Sequence, residues 1–287
     1  MGRSRAPTAL VVGARGFLGS RVVRLLRESG YSAIGSTTAP TVASDEVRIE
    51  LGEGPPAWLF ELELDVAVIA AGIGSMRRCE ENAQDSFLIN VTGRVSIAQS
   101  LMARGIHVVL LSTDAVYSGD AQVASDTQAT DARTVYGRQM AQSEMAILNH
   151  SGSASVVRLG KVIHGATPIL GTWYETLKAG GSVVAFDDSR IAPVSPGFAT
   201  AAVNFALDER VQGIIHATGP EDVLWSDIAD KVAVEVGGSS SQVIRSPCEP
   251  AAERRSFAAL PVTHELPMNH PVGMAAVQLA LQHIRQR

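Results

Sequence analysis

The sequence contains little cysteine and no long apolar run. Two of its 287 residues are cysteines, Cys79 and Cys248, and their separation matches no metal-ligand spacing. Such sparse use of cysteine suits a reducing cytosol, so we expect a cytoplasmic protein. No apolar segment reaches the roughly 18 to 20 residues that a membrane-spanning helix needs. We therefore expect no membrane partner.

Basic clusters and paired histidines are missing as well. The formal net charge is -5, and no patch of Lys and Arg stands out, which argues against a nucleic-acid surface. The partner should instead be a small molecule. The seven histidines show no ligand-like pairing, and His107 and His216 fit packed positions in or beside strands. We therefore expect no metal site.

A regular alternation of strands and helices is the main feature that the sequence does contain. Hydrophobic residues make up 46% of the chain, which is ample for a large core. Strands are predicted at residues 9–12, 32–36, 65–71, 107–112 and 154–159. Helices are predicted between them, and this order indicates an α/β fold with a Rossmann-type, doubly wound parallel sheet.

One of these helices is predicted over residues 83–104. Its helical periodicity places a set of apolar side chains on the buried side, namely Phe87, Leu88, Val91, Ile97 and Leu101.

The chain changes character near Leu170. A helix, a Gly-Gly turn, a short strand and two prolines follow there, with no low-complexity linker. We therefore predict a dinucleotide-binding Rossmann domain over residues 1–169. Residues 170–287 should form mainly a small C-terminal substrate-binding lobe that is interleaved with the sheet.

The segment TALVVGARGFLGSRVVRLL is the most informative part of the sequence. Its three glycines join an apolar strand to an amphipathic helix, so the backbone can approach a dinucleotide pyrophosphate at the helix N-terminus. The spacing is GxxGxxG rather than GxGxxG, and an ordinary tight turn is the alternative. The residues expected at the cofactor are Gly13, Arg15, Gly16, Phe17, Leu18 and Gly19.

Two further segments carry candidate catalytic groups. In LLSTDAVYSGD, Ser112 and Thr113 follow a buried strand at the sheet edge where open α/β sheets bind ligands. A plain strand-to-turn exit is the alternative. In TVYGRQM, Tyr136 begins a helix whose dipole favours a phenolate. Such a tyrosine suits proton donation during carbonyl reduction.

These motifs together resemble the extended short-chain dehydrogenases/reductases, and within them the dTDP-4-dehydrorhamnose reductase and sugar-nucleotide reductase family. The glycine loop, STDAVYSGD, VVRLGKVIHG, VVAFDDSRIAPV and GIIHATGPEDVLWSDIA each resemble a family element. The resemblance implies an oxidoreductase that uses NAD(P) and a nucleotide sugar. It further implies that Thr113 polarises the carbonyl and Tyr136 donates the proton.

The resemblance also implies other residues at the cofactor. Lys161 and Val162 match the loop near the nicotinamide, and Glu50 matches an acidic residue beside the adenine. A solvated loop lysine is the alternative reading of Lys161. The remaining residues expected around the adenosine and nicotinamide are Leu51, Ala70, Ala71, Gly72 and Ser112.

The chain departs from the family at the catalytic Tyr-x-x-x-Lys pair. Its fourth position is Met140, and a thioether carries no donor and no charge. Met140 should still face the cofactor beside Tyr136, and Lys161 is a candidate substitute cation. If the protein is a weakened reductase, Met140→Lys is expected to raise turnover by at least about tenfold.

The second strand bears on the choice of cofactor. It ends in Gly35-Ser36-Thr37-Thr38, without the carboxylate that NAD-specific sites usually carry. Ser36 offers a hydroxyl, and Arg15 is a candidate cation for a 2′-phosphate, with a solvent-exposed arginine as the alternative. We therefore expect NADP(H) to be favoured over NAD(H).

Two functions remain open from the sequence. The first is an NADP(H)-dependent reductase of a 4-keto sugar nucleotide, favoured by Thr113, Tyr136 and the glycine loop. The second is a catalytically degenerate member that binds dinucleotide or nucleotide sugar as a regulatory or binding subunit, favoured by Met140. A homodimer or a regulatory partner protein fits either function.

Overall fold

A seven-stranded parallel sheet flanked by helices forms the centre of the fold. The computed structural model describes residues 5–123, 125–266 and 269–286. From one edge of the sheet to the other, its strands cover residues 213–217, 154–159, 107–113, 66–69, 8–12, 32–37 and 46–48. The chain starts in the strand at residues 8–12 and runs outward to the edge at residues 46–48. It then continues on the other side of the first strand, from residues 66–69 to the opposite edge at residues 213–217. This arrangement confirms the predicted doubly wound α/β fold.

The strands of the large sheet are β1 (Thr8–Val12), β2 (Ser32–Thr37), β3 (Glu46–Arg48), β4 (Val66–Ile69), β5 (His107–Thr113), β6 (Ala154–Leu159) and β11 (Gly213–Ala217). Three two-stranded sheets contain β7 (Lys161–Val162), β8 (Val183–Phe186), β9 (Arg190–Ile191), β10 (Pro193–Val194), β12 (Val223–Leu224) and β13 (Val243–Ser246).

The α-helices are α1 (Phe17–Glu28), α2 (Met76–Glu81), α3 (Ala83–Phe87), α4 (Arg94–Met102), α5 (Val135–Leu148), α6 (Pro168–Lys178), α7 (Pro196–Asp208), α8 (Trp225–Glu235) and α9 (Gly273–Arg285). A π-helical segment, Leu88–Gly93, joins α3 to α4. No helix in the described part of the chain is long and apolar enough to cross a membrane.

The buried face of the helical segment 83–102 differs from the prediction. Phe87 is 41% exposed and Leu88 is 50% exposed, whereas Ser86, Asn90 and Arg94 are buried. The prediction was wrong at Phe87 and Leu88 because it assumed that apolar side chains always take the inner face. Here the inner face begins polar, since Asn90 accepts a hydrogen bond from the Ile73 N–H at 2.7 Å.

The chain divides into two compact units. The first comprises Met1–Ser112, Thr134–Val157 and Thr200–Ile215, and the second comprises Thr113–Arg133, Arg158–Ala199 and His216–Arg287. Strands β1, β4 and β5 pair in parallel in the first unit. Their side chains build a core with α4, whose members include Leu10, Val12, Ile69, Ile97, Leu101 and Leu110.

The second unit has a core of its own. Helices α6 and α8 pack on the short parallel pair of β8 and β13, and α9 packs against α6, α8 and β10. Trp173 and Trp225 meet edge to face, with ring centroids 6.1 Å apart. The core includes Leu170, Tyr174, Ile228, Val232, Val277 and Leu281. Trp225 begins α8.

Candidate functional site

The glycine turn between β1 and α1 is shaped by close backbone contacts. Gly13 has a φ of 88°, in the left-handed region that favours glycine. A Cβ on Gly13 would lie 2.7 Å from the Ala71 backbone nitrogen, and one on Gly19 would lie 2.1 Å from the Gly13 carbonyl oxygen. These two positions therefore need glycine for packing between turn, helix and strand.

Hydrogen bonds hold the same turn against β2. The N–H of Gly13 donates to Ser36 Oγ at 3.0 Å, and the N–H of Ala14 donates to the Ser36 carbonyl at 3.1 Å. Helix α1 then begins at its cap Gly16 without a side-chain cap. Its first N–H groups and the positive end of its dipole are suited to an anion such as a pyrophosphate.

A cavity of about 580 Å³ opens beside this turn in the first unit. The glycine turn, the end of β2, the segment after β3 and the segment after β4 line it. The lining residues are Val12, Gly13, Arg15, Gly16, Ser36, Thr37, Thr38, Ile49, Glu50, Leu51, Gly52, Glu53, Ala71, Gly72, Ile73, Arg78 and Ile89.

Many of the residues predicted at the cofactor lie in this lining, and others lie elsewhere. The cavity brings together Gly13, Arg15, Gly16, Ser36, Glu50, Leu51, Ala71 and Gly72. Outside that lining are Phe17, Leu18, Gly19, Ala70, Ser112, Thr113, Tyr136, Met140, Lys161 and Val162. Gly19 instead packs α1 on the turn, and Ala70 continues the backbone ladder by donating its N–H to the Val12 carbonyl.

Arg15 meets a carboxylate that the sequence pattern did not reveal. Its Nε lies 2.9 Å from Glu46 Oε1, and its Nη2 lies 2.6 Å from Glu46 Oε2. The hydrogen bonds from Arg15 lower the pKa of Glu46 to about 2. The parallel pairing of β2 with β3 places Glu46 opposite Gly35. A carboxylate therefore approaches the end of β2 from the neighbouring strand.

Arg78 is a second cation at the cavity. It lies on α2, whose N-terminus is capped by Ser75, which accepts the Arg78 N–H at 3.3 Å. From the sequence, the pair Arg77-Arg78 is better interpreted as solvated loop residues than as a contact for a substrate pyrophosphate. The structure places Arg78 in the cavity lining.

Tyr136 lies in the first turn of α5. Thr134 caps this helix by accepting the Gly137 N–H at 3.1 Å, and Glu80 of α2 accepts the Val135 N–H at 2.7 Å. Both contacts fix the start of the helix. The phenol is therefore carried by a helix N-terminus that is anchored from both sides.

Met140 is buried against an arginine that the sequence analysis missed. Arg94 Nη1 donates to Met140 Sδ at 2.9 Å, and Arg94 Nη2 donates to the Leu111 carbonyl at the end of β5. Arg94 is 2% exposed and Met140 is 3% exposed. The sequence did offer one sign of this burial: Arg94 lies in helical register with Ile97 and Leu101, on a helix face that is otherwise apolar and buried.

Burial and neighbouring groups act on the Arg94 guanidinium in opposite directions. Desolvation lowers its pKa to about 10, whereas electrostatic attraction to Tyr136 and Glu144 raises it. Glu144 is itself buried and accepts a hydrogen bond from Ser112 Oγ. Ser112, expected at the cofactor, is thus engaged by a buried carboxylate.

The second unit contains the other predicted site residues. Thr113 caps a short 3₁₀ turn, since its Oγ1 accepts the Ala115 N–H at 3.1 Å. Lys161 has an exposed side chain, and its N–H donates to the Ala192 carbonyl at 3.0 Å. Val162 follows it in β7, which pairs with β10.

Two buried histidines, His107 and His216, have structural partners. His107 is buried between Ser153 Oγ at 2.7 Å and Ser155 Oγ at 3.1 Å. His216 Nδ1 lies 3.1 Å from the Pro261 carbonyl, and desolvation lowers its pKa to about 4. The described residues contain no cluster of three or more His, Cys, Asp or Glu side chains that could hold a metal ion.

Comparison with known proteins gives a consistent set of similarities. The chain matches the protein family described as the RmlD substrate binding domain over residues 8–275. A "Probable low-salt glycan biosynthesis reductase" of Haloferax volcanii is 29% identical over 263 residues, which are 86% of this chain and 87% of that protein. A "Probable dTDP-4,6-dihydroxy-2-methyloxan-3-one 4-ketoreductase" of Streptomyces antibioticus is 29% identical over 230 residues, or 78% and 75% of the two chains.

Solved structures share the fold over nearly the whole chain. A UDP-glucose 4-epimerase of Thermus thermophilus in complex with NAD has a TM-score of 0.81 at 19% identity and covers 97% of this chain and 99% of its own. A dTDP-4-dehydrorhamnose reductase of Bacillus anthracis in complex with NADP has a TM-score of 0.79 at 15% identity and covers 98% and 99%.

Proposed function

The chain belongs to the RmlD substrate-binding domain family, within the extended short-chain dehydrogenases/reductases, and from this premise we propose that it is an NADP(H)-dependent reductase of a 4-keto sugar nucleotide. The reductase names of two relatives at 29% identity support this class of reaction. The observation that carries the proposal is the glycine-lined cavity beside the N-terminus of α1.

The residues of this cavity fit a nicotinamide dinucleotide. A Cβ on Gly16 would meet only the Gly13 carbonyl oxygen, at 3.1 Å, so the backbone at Gly16 leaves room for a pyrophosphate at the helix N-terminus. Glu50 and Leu51 would hold the adenosine, together with Ala71 and Gly72 on the opposite wall. The cavity volume of about 580 Å³ lies in the ordinary range of small-molecule sites.

The chemistry follows from the groups beyond this cavity. A bound reduced nicotinamide would supply a hydride to the carbonyl carbon. Tyr136 would give its phenolic proton to the carbonyl oxygen, so that the ketone becomes an alcohol. Thr113 would hydrogen-bond the same oxygen and orient it. Lys161 and Val162 would border the nicotinamide, and residues 170–287 would supply most of the binding site for the nucleotide sugar.

The preference for NADP(H) rests on Arg15 and on the hydroxyls at the end of β2. Arg15 lines the cavity beside Ser36, Thr37 and Thr38, where a 2′-phosphate would meet a cation and hydroxyl donors. Glu46 shares that guanidinium and offsets part of its charge. We therefore propose a moderate preference, set by competition between Glu46 and the phosphate for Arg15.

Met140 favours a second candidate function, a binding or regulatory subunit without turnover. Its thioether occupies the position where the family pattern has lysine, and it is buried rather than directed to solvent. Such a subunit would keep the dinucleotide cavity and lose the chemistry at Tyr136.

One experiment separates the two functions. Calorimetric titrations with NADPH and NADH test the cavity, and NADPH oxidation in the presence of a dTDP-linked 4-keto-6-deoxy sugar tests turnover. The reductase proposal expects turnover that Tyr136→Phe abolishes while cofactor affinity changes little. Binding without turnover would favour the second function. Turnover that survives Tyr136→Phe would refute Tyr136 as the proton donor.

A further inference from the structure

Arg94 is a buried cation whose position in the fold demands an explanation. It begins α4, and its side chain is removed from solvent among β5, α5 and the segment after β4. Burying a guanidinium is costly unless charge and hydrogen bonds compensate it. The carbonyl of Leu111 and the sulfur of Met140 provide two acceptors, and neither of them is charged.

The opposite charges available to Arg94 both come from α5. Glu144 and Tyr136 attract the guanidinium electrostatically. Tyr136, Met140 and Glu144 are four residues apart and therefore follow one face of the helix. Arg94 donates to the middle member of this row, so its guanidinium approaches the helix face that carries Tyr136 and Glu144. Attraction between two groups is mutual, so a cation that gains from Tyr136 also favours the Tyr136 phenolate.

The stem and Nε of Arg94 extend this site toward the dinucleotide cavity. A Cβ on Gly72, a residue of the cavity wall, would lie 3.8 Å from Arg94 Cδ. Arg94 Nε is buried and has no hydrogen-bond partner among the described residues. The Arg94 side chain thus runs from the wall of the cavity, at its Cδ, to the helix face that carries Tyr136, at its Nη1.

We propose that Arg94 is the positioning residue of Tyr136: its buried guanidinium, reaching α5 from α4, supplies the positive charge that stabilises the phenolate. Met140 is then an uncharged spacer that lets the guanidinium approach. This inference rests on the proposed function for its catalytic meaning, because a stabilised phenolate releases its proton more readily to a carbonyl oxygen.

Other charged groups lie on α2 and α5. Glu144 receives the Ser112 hydroxyl, and Glu80 of α2 accepts the Val135 N–H. Arg78 of α2 lines the dinucleotide cavity. Arg138 lies on the exposed side of α5. Electrostatic attraction to Tyr136 acts on the Arg94 guanidinium.

Titration of the phenol tests the proposal without substrate or cofactor. The near-ultraviolet phenolate absorbance of the full chain is followed against pH, and the curve of Tyr136→Phe is subtracted to remove the other three of the four tyrosines. In Arg94→Met the Tyr136 midpoint should rise by at least about one pH unit, the shift that loss of a close opposite charge produces. Arg94→Lys, which keeps the charge, should shift it less.

A charge exchange provides the matched control. Arg94→Met/Met140→Lys keeps one cation and one thioether and exchanges their positions, so its Tyr136 midpoint should return to within about half a pH unit of the natural protein. If Arg94→Met does not fold, the exchange variant and Arg94→Lys carry the test. A Tyr136 midpoint that is unchanged in folded Arg94→Met, or that rises fully in the two variants that retain a cation, would overturn the proposal.

The same variants separate this inference from the reductase proposal. In an active reductase, Arg94→Met should lower turnover near neutral pH at least about tenfold and move the pH profile by the shift seen in the titration. A shifted phenol in a protein without turnover would leave the role of Arg94 standing and reject the reductase. Turnover with an unshifted phenol would do the reverse.

Discussion

Met140→Lys should destabilise the protein, although the sequence alone leads one to expect an improved site. The sulfur of Met140 lies 2.9 Å from Arg94 Nη1. A lysine in its place would bring a second cation to within about 4 Å of the guanidinium, where like charges repel by about 4 kcal/mol at an effective dielectric constant of about 20. Attraction to Glu144 offsets part of this. We expect a loss of roughly 2 to 4 kcal/mol in the free energy of unfolding.

The pH dependence of that loss identifies its cause. Repulsion and burial would depress the pKa of the new lysine in the folded state, so the unfolded chain would bind more protons. Stability of Met140→Lys should therefore rise relative to the natural protein as pH increases from neutral toward about 10, the ordinary value for lysine. Urea unfolding at several pH values measures this.

Two control variants complete the test. Met140→Leu conserves volume without charge and should cost less than about 1.5 kcal/mol. Arg94→Met/Met140→Lys removes the repulsion and should recover most of the stability, which gives a large coupling energy in the double-mutant cycle. A Met140→Lys protein that is as stable as Met140→Leu at neutral pH would refute the reasoning, because the guanidinium would then not be held against residue 140.

Three further predictions concern other parts of the chain. Gly16→Val should abolish dinucleotide binding, measured by calorimetry, with little change in melting temperature, because a Cβ at Gly16 meets one backbone oxygen at 3.1 Å. Gly19→Val should instead unfold the turn, because its Cβ would lie 2.1 Å from the Gly13 oxygen. Equal effects of the two substitutions on binding and melting temperature would contradict this prediction. Glu46→Gln should tighten NADPH binding relative to NADH binding by up to about fivefold, the scale of an exposed ion pair. Arg15→Ala should remove the difference in affinity between the two cofactors. An unchanged ratio of the two affinities in both variants would place the 2′-phosphate elsewhere. Desolvation lowers the pKa of His216 to about 4, so the contribution of neutral His216 to the free energy of unfolding should be fully present above the ordinary histidine pKa. This contribution, roughly 2 to 3 kcal/mol, should be lost as the pH falls through about 4. Acid unfolding of His216→Gln should lack this loss, and an acid profile identical to that of the natural protein would show that His216 is not held neutral.

The parts of the fold that sequence reasoning predicts are those set by local pattern. The turn at Gly13 and Gly16 joins an apolar strand to an amphipathic helix within a few residues, so a short segment of sequence predicts strand, turn and helix at once. The helix that carries Tyr136 is also set locally, since Thr134 caps it two residues before Tyr136.

The features that were missed depend on strand and helix pairing across long separations. Glu46 reaches Arg15 across 31 residues because β3 is placed beside β2, and β3 is only three residues long. The exposure of Phe87 and Leu88 follows from a polar inner face, on which Asn90 donates to Gln139 at 2.9 Å. Amphipathic periodicity assigns burial by polarity, so it inverts such a face.

Arg94 indicates why a linear motif is an incomplete test of chemistry in this chain. The pattern Tyr-x-x-x-Lys detects only a cation that lies on the same helix as the tyrosine, because residues four apart share a helix face. The phenol responds only to the field at its oxygen, whichever element carries the charge. In this protein a guanidinium 46 residues away in sequence donates to the side chain at the fourth position. The titration of Tyr136 therefore tests the role of Arg94, and a methionine at position 140 is compatible with a low Tyr136 midpoint as long as Arg94 remains buried beside it.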